Sequence, residues 1–379
     1  MKSRLLWSLL AASLVVPVRA SLQEKKDEPA KAAAANKPLP LEGARDVSFV
    51  TEEGSWISLD VSPDGKTILF ELLGDLYTLP IDGGQAKRIA DGMAFDTQPR
   101  YSPDGSKIVF ISDRDGDENL WTADANGSNP KALTKGKSNV FRSPEYTPDG
   151  KYIVVSKSTP GTPPTMHLWL YHVDGGSGVK LTGNSNDSKN LFALGPSFGK
   201  NPRYVWFTER TAAGSVYNQM NFRWQLGIYD RQTGENYRQS DELGAGMRPI
   251  VSPDGKWLVY ATRWDAQTGL RLRNLENGDD SWLAYPVTRD DQESASTRDL
   301  MPGSSFTPDS TALITSMDGK IVRVAVPSGA ITPIPFKADV ASPSSTRWLK
   351  GRCARSRSGT RGSRLTAGAS RSPPSSTCT

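Results

Sequence analysis

One turn recurs along this chain, and the strand after it recurs too. Ser62-Pro63-Asp64-Gly65 precedes Ile68-Leu69-Phe70, and Ser102-Pro103-Asp104-Gly105 precedes Ile108-Val109-Phe110-Ile111. Thr147-Pro148-Asp149-Gly150 precedes Tyr152-Ile153-Val154-Val155, and Ser252-Pro253-Asp254-Gly255 precedes Trp257-Leu258-Val259-Tyr260. Thr307-Pro308-Asp309 ahead of Ala312-Leu313-Ile314 is a further copy, and Asn201-Pro202-Arg203 before Tyr204-Val205-Trp206-Phe207 is a degenerate one. Proline presets φ, aspartate bonds the backbone two residues on, and glycine takes the positive φ of a tight turn. The short β-branched and aromatic runs lack helical spacing and suit strands buried on both faces. The prolines at 63, 103, 148, 202, 253 and 308 set a period of roughly 40 to 55 residues, the range of propeller blades.

The pattern predicts an all-β protein: a propeller of about six four-stranded blades, with a seventh lost with the C-terminus as an open alternative. The expected blades cover residues 46–92, 93–135, 136–183, 184–240, 241–288 and 289–340, the fourth being divergent. In the first, strands are expected near Ser55–Leu59, Thr67–Glu71, Asp75–Leu79 and Ala86–Ile89. Each blade alone exposes both faces, and radial stacking buries them. A chain broken before its last strand would leave an unpaired edge, so ring closure is open here and poor solubility is expected.

Ser112-Asp113-Arg114-Asp115-Gly116, with Leu120-Trp121 after it, completes a hallmark. With the Pro-Asp-Gly turns it resembles the TolB-like family of propeller repeats over residues 46 to 340. That resemblance implies the fold and says little about function. Propellers like this also occur ahead of amidohydrolase and serine peptidase domains, and in Tol–Pal envelope proteins, which carry a further α/β domain.

The ends differ from the middle. Lys2 and Arg4, an apolar run from Leu5 to Val18 and Val18-Arg19-Ala20 before Ser21 read as a secretory signal over residues 1–20. The run falls short of the ~20 residues that span a bilayer. Residues 21–45 are rich in Lys, Ala, Glu and Pro and are expected to be a disordered linker. Residues 341–379 hold no acid and are expected to be a disordered basic tail. A one-base shift of frame permits Gly362 to Thr379 to be re-read as RLSPDGRSLAFAALVNVY, another turn and strand about 57 residues after Pro308, near the repeat period. The tail is therefore expected to be a frameshift product of a longer, amidohydrolase-type protein.

The formal charge of +5 misleads. Eight basic residues lie in the tail and three in the signal, which leaves residues 21–340, between them, at −6. A nucleic-acid partner thus loses its electrostatic support. Both cysteines, Cys353 and Cys378, also lie in the tail, so the blades must be held by packing alone.

Several motifs compete for a role. Gly195-Pro196-Ser197-Phe198-Gly199 matches the nucleophile elbow, which needs a strand before it and a helix after it. Here another strand follows. His167 and His172, the only histidines, are five apart on a strand and face opposite ways. Asp113, Asp115, Asp117 and Glu118 have calcium-like spacing without the later ligands of an EF-hand. Pro63, Asp64, Gly65, Pro103, Asp104, Gly105, Pro148, Asp149, Gly150, Pro253, Asp254, Gly255, Pro308 and Asp309 read as structural turn residues. Tyr217, Asn218, Phe222, Arg223 and Trp224, in the divergent blade, read as a binding surface because aromatics and Arg enrich interfaces.

The sequence thus points to an exported, periplasmic or secreted, non-catalytic scaffold with no cofactor and no metal site. Its partner would be a protein, a peptide or a missing C-terminal catalytic domain. A Tol–Pal-like partner-binding role and the propeller of a prolyl-oligopeptidase-type serine peptidase are the alternatives.

Overall fold

The computed structural model describes residues 45–159, 165–183, 192–210, 224–240, 245–292 and 298–344. Strand β1 (Arg45–Thr51) comes first. Blade one follows as β2 (Leu59–Val61), β3 (Thr67–Leu72), β4 (Asp75–Pro80) and β5 (Gly84–Ala90). Blade two is β6 (Thr97–Tyr101), β7 (Lys107–Ser112), β8 (Asn119–Asp124) and β9 (Lys131–Ala132). Blade three is β10 (Val140–Tyr146), β11 (Tyr152–Thr159), β12 (Thr165–His172) and β13 (Val179–Lys180). Blade four is β14 (Phe192–Phe198), β15 (Tyr204–Arg210), β16 (Trp224–Asp230) and β17 (Glu235–Arg238). Blade five is β18 (Met247–Val251), β19 (Trp257–Trp264), β20 (Gln267–Asn274) and β21 (Asp280–Ala284). Blade six is β22 (Ser305–Phe306), β23 (Ala312–Met317), β24 (Lys320–Ala325) and β25 (Ile331–Ile334), and β26 (Phe336–Ser344) ends the described chain. Successive strands within a blade pair antiparallel.

The repeated turn joins the first strand of each blade to the second. In blade one, Ser62 Oγ donates to Asp64 Oδ1 at 2.6 Å, Thr67 N donates to Ser62 Oγ at 2.9 Å, and Gly65 N donates to Ser62 O at 2.8 Å. Gly105 holds φ at 71°, and in blade six Ser310 adopts φ 61° where the turns of blades one, two, three and five have glycine. The turns also touch one another around the ring. A Cβ on Gly105 would stand 3.4 Å from Pro63, one on Gly150 3.7 Å from Pro103, and one on Gly65 3.3 Å from Pro308.

Alternation along the second strands builds the core. Ile108 and Phe110 of β7 pack with Leu69, Leu76 and Trp121 toward blade one, while Val109 and Ile111 pack with Phe141, Ile153 and Tyr171 toward blade three. Burying each such side chain is worth about 1.5–3 kcal/mol. The core is thus a series of seams between blades, with no single centre.

Three expectations are corrected. The first strand of blade one is Leu59–Val61, not Ser55–Leu59. No gap remains for a seventh blade, because Ile57, Leu59, Ile68 and Phe70 of blade one share a seam with Ile314, Ile321 and Ile334 of blade six. Nor is the last blade left with an open seam: β26 pairs parallel with β5 and antiparallel with β1, so the two ends of the described chain lie on the outer edge of blade one.

The turn carboxylates set an acid limit. Hydrogen bonds from Ser102 and Ser106 hold Asp104 down at about 2, and Lys107, Asn129 and Ser128 hold Asp124 at about 2. A folded pKa below the unfolded value stabilises above that value and is lost as pH falls through the folded one. The melting temperature is therefore expected to drop between about pH 4 and pH 2. In Asp104→Asn the drop should be shallower, which a series of thermal melts against pH will show.

Candidate functional site

The inner strands share a local device that fills the axis with polar groups. Gln98 (φ 53°), Ser143 (φ 51°), Gly195 (φ 60°) and Arg248 (φ 50°) each stand just before a proline and adopt left-handed backbone. At each place the register with the second strand slips. Left-handed backbone costs a residue other than glycine roughly 1–2 kcal/mol, and such bulges re-aim side chains. Here the re-aimed side chains meet across the axis.

Ser143 N donates to Gln98 Oε1 at 2.7 Å, and Gln98 N donates to Glu71 Oε2 at 2.6 Å. Arg248 Nη1 donates to both Ser143 Oγ and the Asp299 carboxylate. Asp299 lies on the connection between blades five and six, and its Oδ1 accepts from Leu300 N at 2.6 Å. Gly195 makes room for this pair, since a Cβ there would stand 3.0 Å from Arg248 Cδ and 3.4 Å from Asp299 Oδ2.

Nearer the turns lies a second tier. Arg100 Nε stands 3.1 Å from Glu145 Oε2, and Arg100 Nη1 stands 3.4 Å from Asp60 Oδ1. The same Nη1 donates to Leu59 O at 2.7 Å and to Ser304 O at 3.3 Å. One guanidinium thus touches blades one, three and six from its seat in blade two. The Arg100 and Arg248 side chains are only 8% and 7% exposed, so their charges are partly stripped of water. Asp60, Arg100, Glu145, Arg248 and Ser305 line a cavity of about 180 Å³ that reaches Pro253 of the fifth turn.

Burial pushes the Glu145 carboxyl up to about 7, with Arg100 and Arg248 pulling it down and Asp60 pushing it up. Burial also lowers Arg248, against the attraction of Asp299. Because folded Glu145 keeps its proton up to about 7, the native state binds more protons than the unfolded chain above about pH 4.3. Stability therefore falls as pH rises through that window. Glu145→Gln is expected to flatten the fall. The slope that remains should include Asp75, which burial raises to about 6. Urea titrations at a series of pH values will measure both slopes.

The residues singled out from sequence fall elsewhere. Tyr217, Asn218, Phe222 and Arg223 lie outside the described residues. Trp224 is not a surface residue: it is 1% exposed, edge-on to Phe192 at 5.9 Å, and part of the largest seam. Gly195 to Phe198 lie in β14, and Gly199 leads by a turn into β15, so no strand–turn–helix elbow forms, and Ser197 Oγ accepts from Val251 N at 3.3 Å. His167 is buried and lowered to about 4 by that burial, whereas His172 faces out beside Tyr152. Asp113 accepts from Phe95 N at 2.7 Å, Asp117 from Ser138 N at 3.2 Å, and Glu118 pairs with Arg142 at 2.8 Å. These carboxylates clasp connections between blades and are more than a solvated loop. Among the described residues no group of three or more His, Cys, Asp or Glu is placed to hold a metal ion.

Six four-stranded blades around a polar axis define a β-propeller, and known proteins narrow the class. Residues 41–225 match the TolB beta propeller domain, so the chain is a TolB-like β-propeller. Tricorn protease homolog 1 of Streptomyces coelicolor is 32% identical over 121 residues, which is 31% of this chain and 11% of that protein. The chain therefore corresponds to a small part of that relative. The structure of TolB from Acinetobacter baumannii superposes with a TM-score of 0.56 at 17% identity, over 76% of this chain and 67% of that one. A putative TolB from Agrobacterium tumefaciens gives 0.52 at 19% identity, over 69% and 87%. At these identities the two structures speak for the fold.

Proposed function

We propose that this propeller is an exported, non-catalytic docking module that receives a protein or peptide partner at the turn-bearing face, where the axial cavity opens. One observation carries the reading. The inner strands hold Asp60, Arg100, Glu145 and Arg248 around open space, although apolar side chains there would stabilise the fold more. Placing partly desolvated charges on rigid strands costs stability and provides preorganised recognition. The TolB structures share the fold, and the leader-like residues 1–20 support export to the periplasm or beyond. Among the described residues no helix is long and apolar enough to cross a membrane.

The test has two arms. Mass spectrometry of the exported protein should find its N-terminus at Ser21. Full-length immobilised protein should retain an envelope component that Arg100→Gln no longer holds. An uncleaved N-terminus would overturn export, and equal retention by both proteins would overturn docking at the axis. The likeness to a tricorn protease homolog favours a second reading, in which the propeller guides peptide toward a peptidase. In that case the retained component would be a peptidase or its substrate.

A further inference from the structure

Arg100 and Arg248 share one unoccupied direction. Their Nη1 atoms and the Arg100 Nε are engaged by carbonyls, carboxylates and Ser143, but neither Nη2 donates a hydrogen bond to a described residue. Both Nη2 atoms lie 3.3 Å from where a Cβ on Gly303 would stand. Any side chain at 303 would press on both guanidinium groups and on Ser58 Cβ, 3.2 Å away, and glycine spares them that contact. The two Nη2 atoms therefore stand close to one another, and a small group reaching both would come from the cavity of about 180 Å³ that the two arginines line.

We propose that Arg100 Nη2 and Arg248 Nη2, converging over Gly303, bind a carboxylate group entering along the axis. The proposal rests on axial docking and names the chemistry that the axis reads. Two planar guanidinium edges offer parallel N–H donors to the two oxygens of a carboxylate. The surrounding charge selects a monoanion. Asp60, Glu145 and Asp299 stand against the two arginines, so a doubly charged phosphate would meet net repulsion. A carboxylate can be accommodated because Glu145 can take up a proton. The charged groups facing Glu145 are Arg100, Asp60 and Arg248, from the inner strands of blades two, one and five. The cavity admits either a free short-chain carboxylic acid or the acidic end of a peptide, and both offer the same group.

Calorimetric titration of the full-length protein separates the sources. The probes are succinate, an N-acetylated tetra-alanine peptide with a free C-terminal carboxylate, and the same peptide as its C-terminal amide. Saturable binding of either carboxylate, at least tenfold weaker for the amide and stronger at pH 6 than at pH 8, is expected. Tighter binding of succinate identifies a small-molecule source; tighter binding of the peptide acid identifies a chain terminus. Gly303→Ala crowds both Nη2 atoms without removing a charge. It should bind at least tenfold more weakly while its melting curve stays close to that of the parent. Arg100→Gln should do the same to binding, with its fold checked by circular dichroism. No saturable heat with either carboxylate, equal binding of acid and amide, or unchanged binding in Gly303→Ala would overturn the proposal. If Gly303→Ala still retains the envelope component, docking stands and the carboxylate site as its anchor falls.

Discussion

Asp299→Ala is expected to lower the free energy of unfolding by about 3–5 kcal/mol, because it strands a buried arginine. The Asp299 side chain is 3% exposed and faces an Arg248 side chain that is 7% exposed. Removing the carboxylate leaves the guanidinium with Ser143 Oγ alone, and it also takes the acceptor from Leu300 N. Returning Arg248 to water would mean unpacking the bulge on which it stands, between Met247 and Ile250. A typical domain has only about 5–15 kcal/mol to lose, so this one atom group decides whether the protein stays folded on warming. Urea unfolding followed by tryptophan fluorescence will read the loss. The paired change Arg248→Met with Asp299→Leu isolates the cause. If an uncompensated charge is responsible, the double variant should recover most of the stability, as apolar replacements of buried pairs do. A double variant as unstable as the single one would place the cost in packing.

The contrast with the blades shows what a sequence displays. Ile108 to Ile111 announced a strand buried on both faces, and alternate residues of β7 do enter different seams. Such strands are legible because burial on both sides demands an unbroken apolar run and the turns bound it. Inner strands obey a different demand. Leu59–Val61 carries Asp60 toward the axis, so the apolar criterion slid the expected strand back to Ser55–Leu59. Arg248, Ser143 and Asp299 were invisible as a unit because 105 and 51 residues separate Arg248 from its two partners. One local signal was available. Gln98, Ser143 and Arg248 each precede a proline and stand five residues ahead of the turn proline, Gly195 does so seven ahead, and comparing those positions blade by blade lines up the network. Trp224 failed for the opposite reason. Aromatic, Met and Arg residues mark cores as well as interfaces, and only packing against Phe192 distinguishes them.

Ring closure was the least legible feature, since β1 and β26 stand at opposite ends of the described chain, and it yields the second large effect. Phe336→Ala is expected to cost about 3–5 kcal/mol and to loosen the seam between blades six and one before any other. Phe336 is 3% exposed and meets Phe70 edge-on at 5.4 Å, while Phe70 stacks on Tyr77 at 5.6 Å. Its backbone starts the parallel pairing of β26 with β5, and Tyr77 Oη then donates to Asp339 O at 3.1 Å. The side chain therefore holds both the seam and the strand that covers the outer edge of blade one. Hydrogen exchange in Phe336→Ala should quicken first at the amides of β1 and β26, with blades three and four still protected. Phe141→Ala, at the seam of blades two and three, is the matched control: a similar loss of stability is expected, without selective exchange at β1 and β26. Uniform exchange in both variants would mean that the ring opens everywhere at once and that closure has no weakest seam. Once β26 lifts, the edge of β5 lies bare, so the variant and not the parent should aggregate on mild heating.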